Sequence, residues 1–150
     1  MTALLAHNPD GATPDVVLRE ATASDADAIA GLAAEADIDE LSDRGRLFVA
    51  EQNGETVGFI RLVKANGIWH VNPVVVTGSC RRTGIGAALM RFARSRFGEL
   101  RFVARGYAVP FYEALGCEPV AWDAIAPPIA ADCDDCPMAP TCGATPMRMS

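Results

Sequence analysis

The sequence predicts an α/β (α+β) domain with a mixed, mostly antiparallel sheet of about six or seven strands and flanking helices. Two observations predict this class. Apolar, β-branched runs outnumber helical patterns along the chain, and Asn53-Gly54 and Asn66-Gly67 separate the early runs. Asparagine followed by glycine favours the tight turn that joins antiparallel strands. Because hairpins of this kind join only the early strands, the whole sheet is expected to be mixed.

The helices are justified by apolar periodicity and by capping residues. Ile29, Leu32 and Ala33 have helical spacing, and Thr22 or Ser24 can cap the helix that contains them. The strands are apolar runs bounded by turn residues. The expected strands cover residues 16–20, 47–51, 56–63, 68–76, 100–104 and 118–122. The expected helices cover residues 25–36, 38–44, a segment beginning near 87, and 110–115.

Composition fits one soluble domain. The chain has 150 residues, half of them hydrophobic, which is enough for a real core. It has no run of eighteen apolar residues and no basic, apolar leader, so we expect no membrane partner and a cytoplasmic location. Its net charge of −6 disfavours a nucleic-acid partner. We divide it into a flexible leader (1–13), a main domain (14–126) and a Cys-rich tail packed on that domain (127–150).

The most informative segment is Arg81-Arg82-Thr83-Gly84-Ile85-Gly86, which follows an apolar strand and precedes a helix. Glycines allow close approach of a ligand to the backbone, and the helix N-terminus directs N–H groups toward an anion. The two arginines add forked donors for phosphate oxygens. The segment lacks the Gly-Lys-Ser/Thr of a Walker A loop and the three-glycine spacing of a dinucleotide fingerprint. An ordinary glycine-rich helix cap is the alternative.

Two motifs together resemble the GNAT N-acetyltransferase superfamily. Residues 76–86 resemble its motif A, with Arg81, Gly84 and Gly86 at the signature positions Arg/Gln-x-x-Gly-x-Gly/Ala. Residues 108–117 resemble its motif B, which typically reads Ala-x-x-Phe-Tyr-x-x-x-Gly-Phe. The resemblance covers residues 14–122. The chain departs from the pattern at Arg105, where many relatives carry asparagine, and at Cys117, where phenylalanine is usual.

The resemblance implies a GNAT fold, splayed between its parallel fourth and fifth strands, and acetyl-CoA as cosubstrate. The pantetheine arm then enters the splay, where Pro73 suits a break in strand pairing. A backbone N–H of the fourth strand polarises the thioester carbonyl. The residues implied in cofactor binding are Val74, Val76, Arg81, Arg82, Thr83, Gly84, Ile85, Gly86 and Ala87.

The resemblance also implies an acid and a base. Tyr112 matches the family's usual general acid for the leaving thiolate, with a satisfied core tyrosine as the alternative. Some family members carry a carboxylate base on the fourth strand, and His70 occupies that position here. Histidine titrates near neutrality and can relay a proton. The alternative for His70 is a half-buried strand residue beside Trp69, since some GNAT enzymes have no dedicated base.

The tail contains Cys133, Cys136 and Cys142 in the spacing Cys-x2-Cys-x5-Cys. Such a spacing favours a soft metal, and tetrahedral zinc takes four ligands. Cys117 is the candidate for the fourth ligand, and His7 or a water are the other options. An iron–sulfur cluster is the second possibility. Free surface thiols, a disulfide and redox-active cysteines are the alternatives without metal.

We therefore predict an acetyl-CoA N-acetyltransferase that acts on the primary amine of a small acceptor, with amino acids among the candidates. The alternative from another class is a non-catalytic CoA-binding or metal- and redox-sensing module on the same scaffold. A third possibility is an enzyme that acylates a protein N-terminus or lysine. The expected oligomeric state is a monomer or homodimer, and the sequence does not identify the acceptor.

Overall fold

A computed structural model describes residues 4–6, 16–38, 41–42, 44–80, 83–133 and 142–150. The chain divides into two compact units. The first unit contains Met1–Leu62 and Pro73–Ala93, and the second contains Val63–Asn72 and Arg94–Ser150. None of the helices in the described ranges is both long enough and apolar enough to cross a membrane.

Eight strands and four α-helices form within the described residues. In chain order they are β1 (Leu4–Ala6), β2 (Val16–Glu20), α1 (Ala26–Glu35), β3 (Arg46–Gln52), β4 (Glu55–Ala65), β5 (Ile68–Val76), α2 (Ile85–Phe97), β6 (Leu100–Ala104), α3 (Val109–Ala114), β7 (Glu118–Pro119), α4 (Pro127–Ala130) and β8 (Thr145–Met149). The strand order is β1-β2-β3-β4-β5 in the first unit and β4-β5-β6-β8-β7 in the second. Both β4 and β5 contribute residues to both units.

The first unit is built from antiparallel neighbours, as the hairpin signals predict. β2 pairs with β3, and β3 pairs with β4 across the Asn53-Gly54 turn. Both turn residues have positive φ, 54° and 81°, which is the conformation that these residue types favour in a two-residue hairpin. Helix α1 covers one face of the sheet, where its apolar residues join a core of Ile29, Leu32, Ala33, Val49, Phe59 and Val75.

Helix α1 confirms the helix predicted at 25–36, and a partly buried ion pair fixes its start. The Asp25 carboxylate accepts a hydrogen bond from the Thr22 backbone N–H at 2.7 Å and pairs with Arg19 at 2.8 Å. Hydrogen bonding to Arg19 lowers the pKa of Asp25 to about 2. The second helix predicted at 38–44 is wrong for the described part of that range, because residues 38, 41, 42 and 44 are not helical.

The second unit contains the parallel pair. β5 pairs with β6 in parallel from Trp69–Leu100 to Val71–Phe102. β6 then pairs antiparallel with β8, and β8 with β7. The predicted fold class, including the parallel fourth and fifth predicted strands, is confirmed by β5 and β6. Within the described residues the registered β5–β6 pairs end at Val71, and β5 continues for five more residues.

Two strands, β1 and β8, were not predicted from the sequence. β1 lies inside the predicted leader and pairs with β2, while the remainder of residues 1–13 falls outside the described ranges. β8 lies inside the Cys-rich tail and inserts between β6 and β7. Strand β8 is difficult to predict from the sequence because it contains Pro146, and proline usually argues against a strand with neighbours on both sides. The tail residues 145–149 therefore belong to the sheet of the second unit.

Candidate functional site

The turn between β5 and α2 has the geometry of an anion site. Gly84 has a φ of 90°, which other residues adopt only with strain, and its carbonyl accepts the Ala88 N–H at 2.9 Å. Helix α2 begins at Ile85, so the N–H groups of its first turn lack intrahelical acceptors. Together with the positive end of the helix dipole, these N–H groups suit a phosphate. Arg81 and Arg82 lie outside the described residues.

A carboxylate from α1 fixes the start of this turn. Glu35 accepts a hydrogen bond from the Gly78 N–H at 2.5 Å and from the Thr77 hydroxyl at 3.2 Å. The Thr77 N–H donates to the Val57 carbonyl at 2.8 Å. This role of Glu35 was not predicted from the sequence. More than forty residues separate Glu35 from Gly78, so no local pattern joins them.

Strand β5 directs the N–H groups of Val74 and Val76 away from its neighbour β4. The Thr77 N–H points to β4, and the Val75 carbonyl also lies against β4, because a Cβ on Gly58 would stand 2.9 Å from it. Hydrogen-bonding directions alternate along a strand, so the N–H groups of Val74 and Val76 point to the other edge of β5. If Val74 or Val76 polarises the thioester carbonyl, that carbonyl must lie at this other edge of β5, where it can accept from their N–H groups.

A cleft of about 440 Å³ opens beside the first half of the turn. Its lining combines α1, the β3–β4 hairpin and residues 77–80, and includes Leu32, Gln52, Thr56, Thr77 and Cys80. The polar groups lie mainly on the hairpin and the turn, whereas α1 contributes the apolar Leu32 and Ala28. The turn therefore adjoins space for further parts of a bound ligand.

Tyr112 lies on α3 in the second unit and is 9% exposed. Its ring packs against Phe102 at 4.6 Å and Phe111 at 4.9 Å between centroids. Burial raises the pKa of the phenol, the Cys117 and Tyr107 groups add to the rise, and the Arg105 charge opposes it. The hydroxyl is therefore protonated at neutral pH, as a general acid must be, but the raised pKa also makes it a weaker proton donor. The acid role of Tyr112 stays a prediction.

His70 is 1% exposed and makes hydrogen bonds through both ring nitrogens. Nδ1 lies 3.0 Å from the Ile68 carbonyl oxygen, and Nε2 accepts the Ala126 N–H at 3.2 Å. Because a carbonyl can only accept and an N–H can only donate, this assigns the neutral tautomer protonated at Nδ1. Burial lowers the pKa of the ring. This geometry favours the structural alternative for His70 over the predicted base.

The cysteines are only partly described. Cys136 and the side chain of Cys133 lie outside the described residues. Cys117 is buried, and burial raises the pKa of its thiol to about 11, so without a bound metal it is a protonated thiol. The Cys142 carbonyl approaches Gly106, where an added Cβ would stand 2.9 Å from it. Over the described ranges no group of three or more candidate ligands is placed to hold a metal, and the tail site stays a prediction.

The structure thus gathers the predicted residues into two sets. Within the first unit, the turn and the end of β5 bring together Val74, Val76, Thr83, Gly84, Ile85, Gly86 and Ala87. Within the second unit, α3 leads directly to Cys117, whose N–H donates to the Tyr112 carbonyl at 3.1 Å. His70 is also in the second unit, where it contacts the segment that leads into α4.

Solved structures share this fold at low sequence identity. N-acetylglutamate synthase from Neisseria gonorrhoeae, complexed with coenzyme A and N-acetyl-glutamate, superposes with a TM-score of 0.71 at 14% identity over 90% of this chain. An aminoglycoside 6'-N-acetyltransferase complexed with coenzyme A gives a TM-score of 0.65 at 17% identity, covering 88% of this chain and 94% of the other. The ribosomal-protein-S18-alanine N-acetyltransferase from Escherichia coli gives 0.60 at 17%, covering 71% and 79%.

The present chain spans 35% of the length of the synthase chain. Among curated protein sequences none matches it with statistical significance. The profile of the acetyltransferase (GNAT) domain family matches residues 14–124, and the chain therefore belongs to this family of enzymes.

Proposed function

We propose that the chain transfers the acetyl group of acetyl-CoA to the primary amine of a small acceptor, with an amino acid as the first candidate. The observation that carries the proposal is the turn at Gly84, whose positive φ precedes α2 and leaves the first N–H groups of that helix available to an anion. Membership of an acetyltransferase family supports the same activity. A cytoplasmic location and a monomeric or homodimeric state belong to the proposal.

Each part of the reaction has a candidate group. The N–H groups of the turn, together with Arg81 and Arg82, bind the pyrophosphate of the cosubstrate. The N–H groups of Val74 and Val76 stabilise the oxyanion that forms when an amine attacks the thioester carbonyl. Tyr112 then gives its proton to the leaving sulfur, since a phenol with a usual pKa of about 10 is protonated at neutral pH.

The names of three structurally similar proteins support an amine as the acceptor. One is complexed with N-acetyl-glutamate, one is an aminoglycoside 6'-N-acetyltransferase and one is specific to a ribosomal-protein alanine. All three names refer to acetylated amines, which differ in size. We put amino acids first because the neighbour with the highest TM-score among these three carries an acetylated amino acid.

A matched pair of glycine variants tests the phosphate site. Gly84→Asp adds a negative charge and a side chain to the turn, and Gly98→Asp adds the same charge at the end of α2. Both glycines have nearly the same φ, 90° and 87°, so the backbone cost of about 1–2 kcal/mol is the same for both. Isothermal titration calorimetry with CoA should give an affinity at least about 100-fold lower for Gly84→Asp and an unchanged affinity for Gly98→Asp.

Equal CoA affinity in both variants would remove the phosphate site and, with it, the proposed function. Turnover separates the enzyme from a non-catalytic relative. Wild-type protein that binds CoA but forms no acetylated product with any amine would support the CoA-binding module instead.

A further inference from the structure

The end of α1 reaches the turn between β5 and α2 through one side chain, Glu35. Glu35 is the last residue of α1, and its carboxylate accepts the Gly78 N–H at 2.5 Å and the Thr77 hydroxyl at 3.2 Å. The packing is tight, since a Cβ added to Gly78 would stand 3.2 Å from a carboxylate oxygen. One exposed carboxylate therefore holds two consecutive residues at the start of the turn.

Hydrogen bonds continue from this contact along the described part of the turn. The Cys80 N–H donates to the Thr77 carbonyl at 3.0 Å, and the Thr83 hydroxyl donates to the Cys80 carbonyl. Gly84 follows, and its carbonyl accepts the Ala88 N–H of α2 at 2.9 Å. Because each bond begins where the previous one ends or one residue further on, the position of Thr77 affects where Thr83 and Gly84 lie.

Helix α1 is a firm support for this contact. Its buried residues Ile29, Leu32 and Ala33 are at most 6% exposed. They pack in one core with Phe59 of β4 and Val75 of β5. Well-packed cores deform little, so α1 keeps a fixed position relative to the strand that leads into the turn. Glu35 therefore holds residues 77 and 78 from a fixed point.

The charge of Glu35 opposes the local electrostatics. The C-terminal end of a helix carries partial negative charge, so an anionic side chain is disfavoured there. A pyrophosphate bound at the same turn would add further negative charge. The charge of the carboxylate therefore weakens anion binding, whereas its hydrogen bonds favour binding if they fix the donors. Glutamine separates the two effects, because it keeps an acceptor oxygen and carries no charge.

We propose that Glu35 is a positioning residue for the cosubstrate, holding residues 77–80 so that the N–H groups of the turn are directed to the pyrophosphate of CoA. It acts through Thr77 and Gly78, by its acceptor oxygens and against the effect of its charge. The proposal rests on the proposed function and extends the phosphate site to a residue of α1, which no motif of the turn contains.

Glu35→Gln and Glu35→Ala test this role by isothermal titration calorimetry with CoA. Both variants lose the same charge, but only the glutamine can still accept the Gly78 N–H. Asp27→Asn and Asp27→Ala are the matched controls, since Asp27 is an exposed carboxylate in the first turn of the same helix. All variants are compared at a temperature where urea denaturation shows them to be folded.

We expect Glu35→Ala to bind CoA about tenfold more weakly than the wild type, and Glu35→Gln to bind it at least as tightly. Reduced helix formation does not account for such a loss, since alanine is the better helix former. In turnover, Glu35→Ala should raise the KM for acetyl-CoA and leave kcat at saturation within about twofold. The two Asp27 variants should bind CoA as the wild type does.

Gly78→Ala tests the same contact from the side of the turn. Its methyl group would stand 3.2 Å from the Glu35 carboxylate oxygen, so that one of the two groups must shift. We expect about threefold weaker CoA binding from Gly78→Ala alone. In Glu35→Ala the oxygen is absent, and adding Gly78→Ala should have no further effect.

Equal CoA affinities in Glu35→Ala and Glu35→Gln overturn the proposal, because the lost charge alone would then explain the result. Additive effects of Gly78→Ala and Glu35→Ala also overturn it. A wild-type protein that binds no CoA contradicts the proposed function itself, whereas the comparisons among variants that bind CoA concern only Glu35.

Discussion

His70 is interpreted either as a structural residue or as the catalytic base. The two interpretations predict different behaviour for a variant that keeps the hydrogen bond to Ala126 but cannot titrate. The glutamine oxygen of His70→Gln can replace Nε2 as acceptor for the Ala126 N–H, and the side chain has similar length. His70→Ala instead removes the ring that bonds both the Ala126 N–H and the Ile68 carbonyl. Because His70 is only 1% exposed, each group left without its partner should cost about 1–3 kcal/mol of unfolding free energy. We expect a loss of unfolding free energy of about 2–5 kcal/mol for His70→Ala and about 1 kcal/mol for His70→Gln.

The pH dependence of stability gives an independent measure. The folded pKa of His70 lies below its usual value of 6.5, so the native state holds the neutral ring. Below about pH 6.5 the unfolded chain binds a proton that the native state does not, and this contribution to stability is lost as the pH falls toward the folded pKa. Urea denaturation at about pH 7.5 and about pH 5.5 should therefore show a larger acid loss for the wild type than for His70→Gln.

Activity decides between the two roles. If His70 is structural, His70→Gln keeps acetylation within about threefold of the wild type at a temperature where both are folded. The structural interpretation would be refuted if His70→Gln is as stable as expected but loses about 100-fold in activity and also loses the acid limb of the pH–rate profile. His70 would then be the base.

The other predictions concern the acid and the tail. Tyr112→Phe keeps the ring packing on Phe102 and removes only the hydroxyl, so we expect kcat to fall by about 10²–10⁴-fold with CoA affinity unchanged in calorimetry; equal turnover would remove Tyr112 as the acid. Elemental analysis of protein purified without chelator should find about one zinc per chain, lost in Cys136→Ser. A metal-free wild type would contradict the predicted tail site.

Local patterns predicted much of the fold. The bounds of β2, β5 and β6 agree with the predicted strands, because each is an apolar run between turn residues. β7 is shorter than predicted, since a short helical turn at Trp122–Ala124 follows it. β8 was missed because Pro146 within it argues against a strand with two neighbours.

Part of the candidate site could be predicted from local sequence and part could not. The positive φ of Gly84 was predictable, because a glycine between a strand and a helix favours that conformation, and Gly84 has it. The hydrogen bonding of His70 was not predictable, since its Nε2 accepts the N–H of Ala126, which is more than fifty residues away. Contacts between distant segments, such as Glu35 with Gly78 and Asn72 with Asp132, have no periodicity or spacing that a sequence pattern can express.

The most direct test of the central claim is to count the products of wild-type protein incubated with acetyl-CoA and an amine panel, which consists of the twenty amino acids, spermidine and kanamycin. Mass spectrometry should find one N-acetylated amine for each CoA released, and no CoA release above background without an amine. CoA that binds in calorimetry while no amine in the panel becomes acetylated would contradict the claim that this chain is an N-acetyltransferase for small amines.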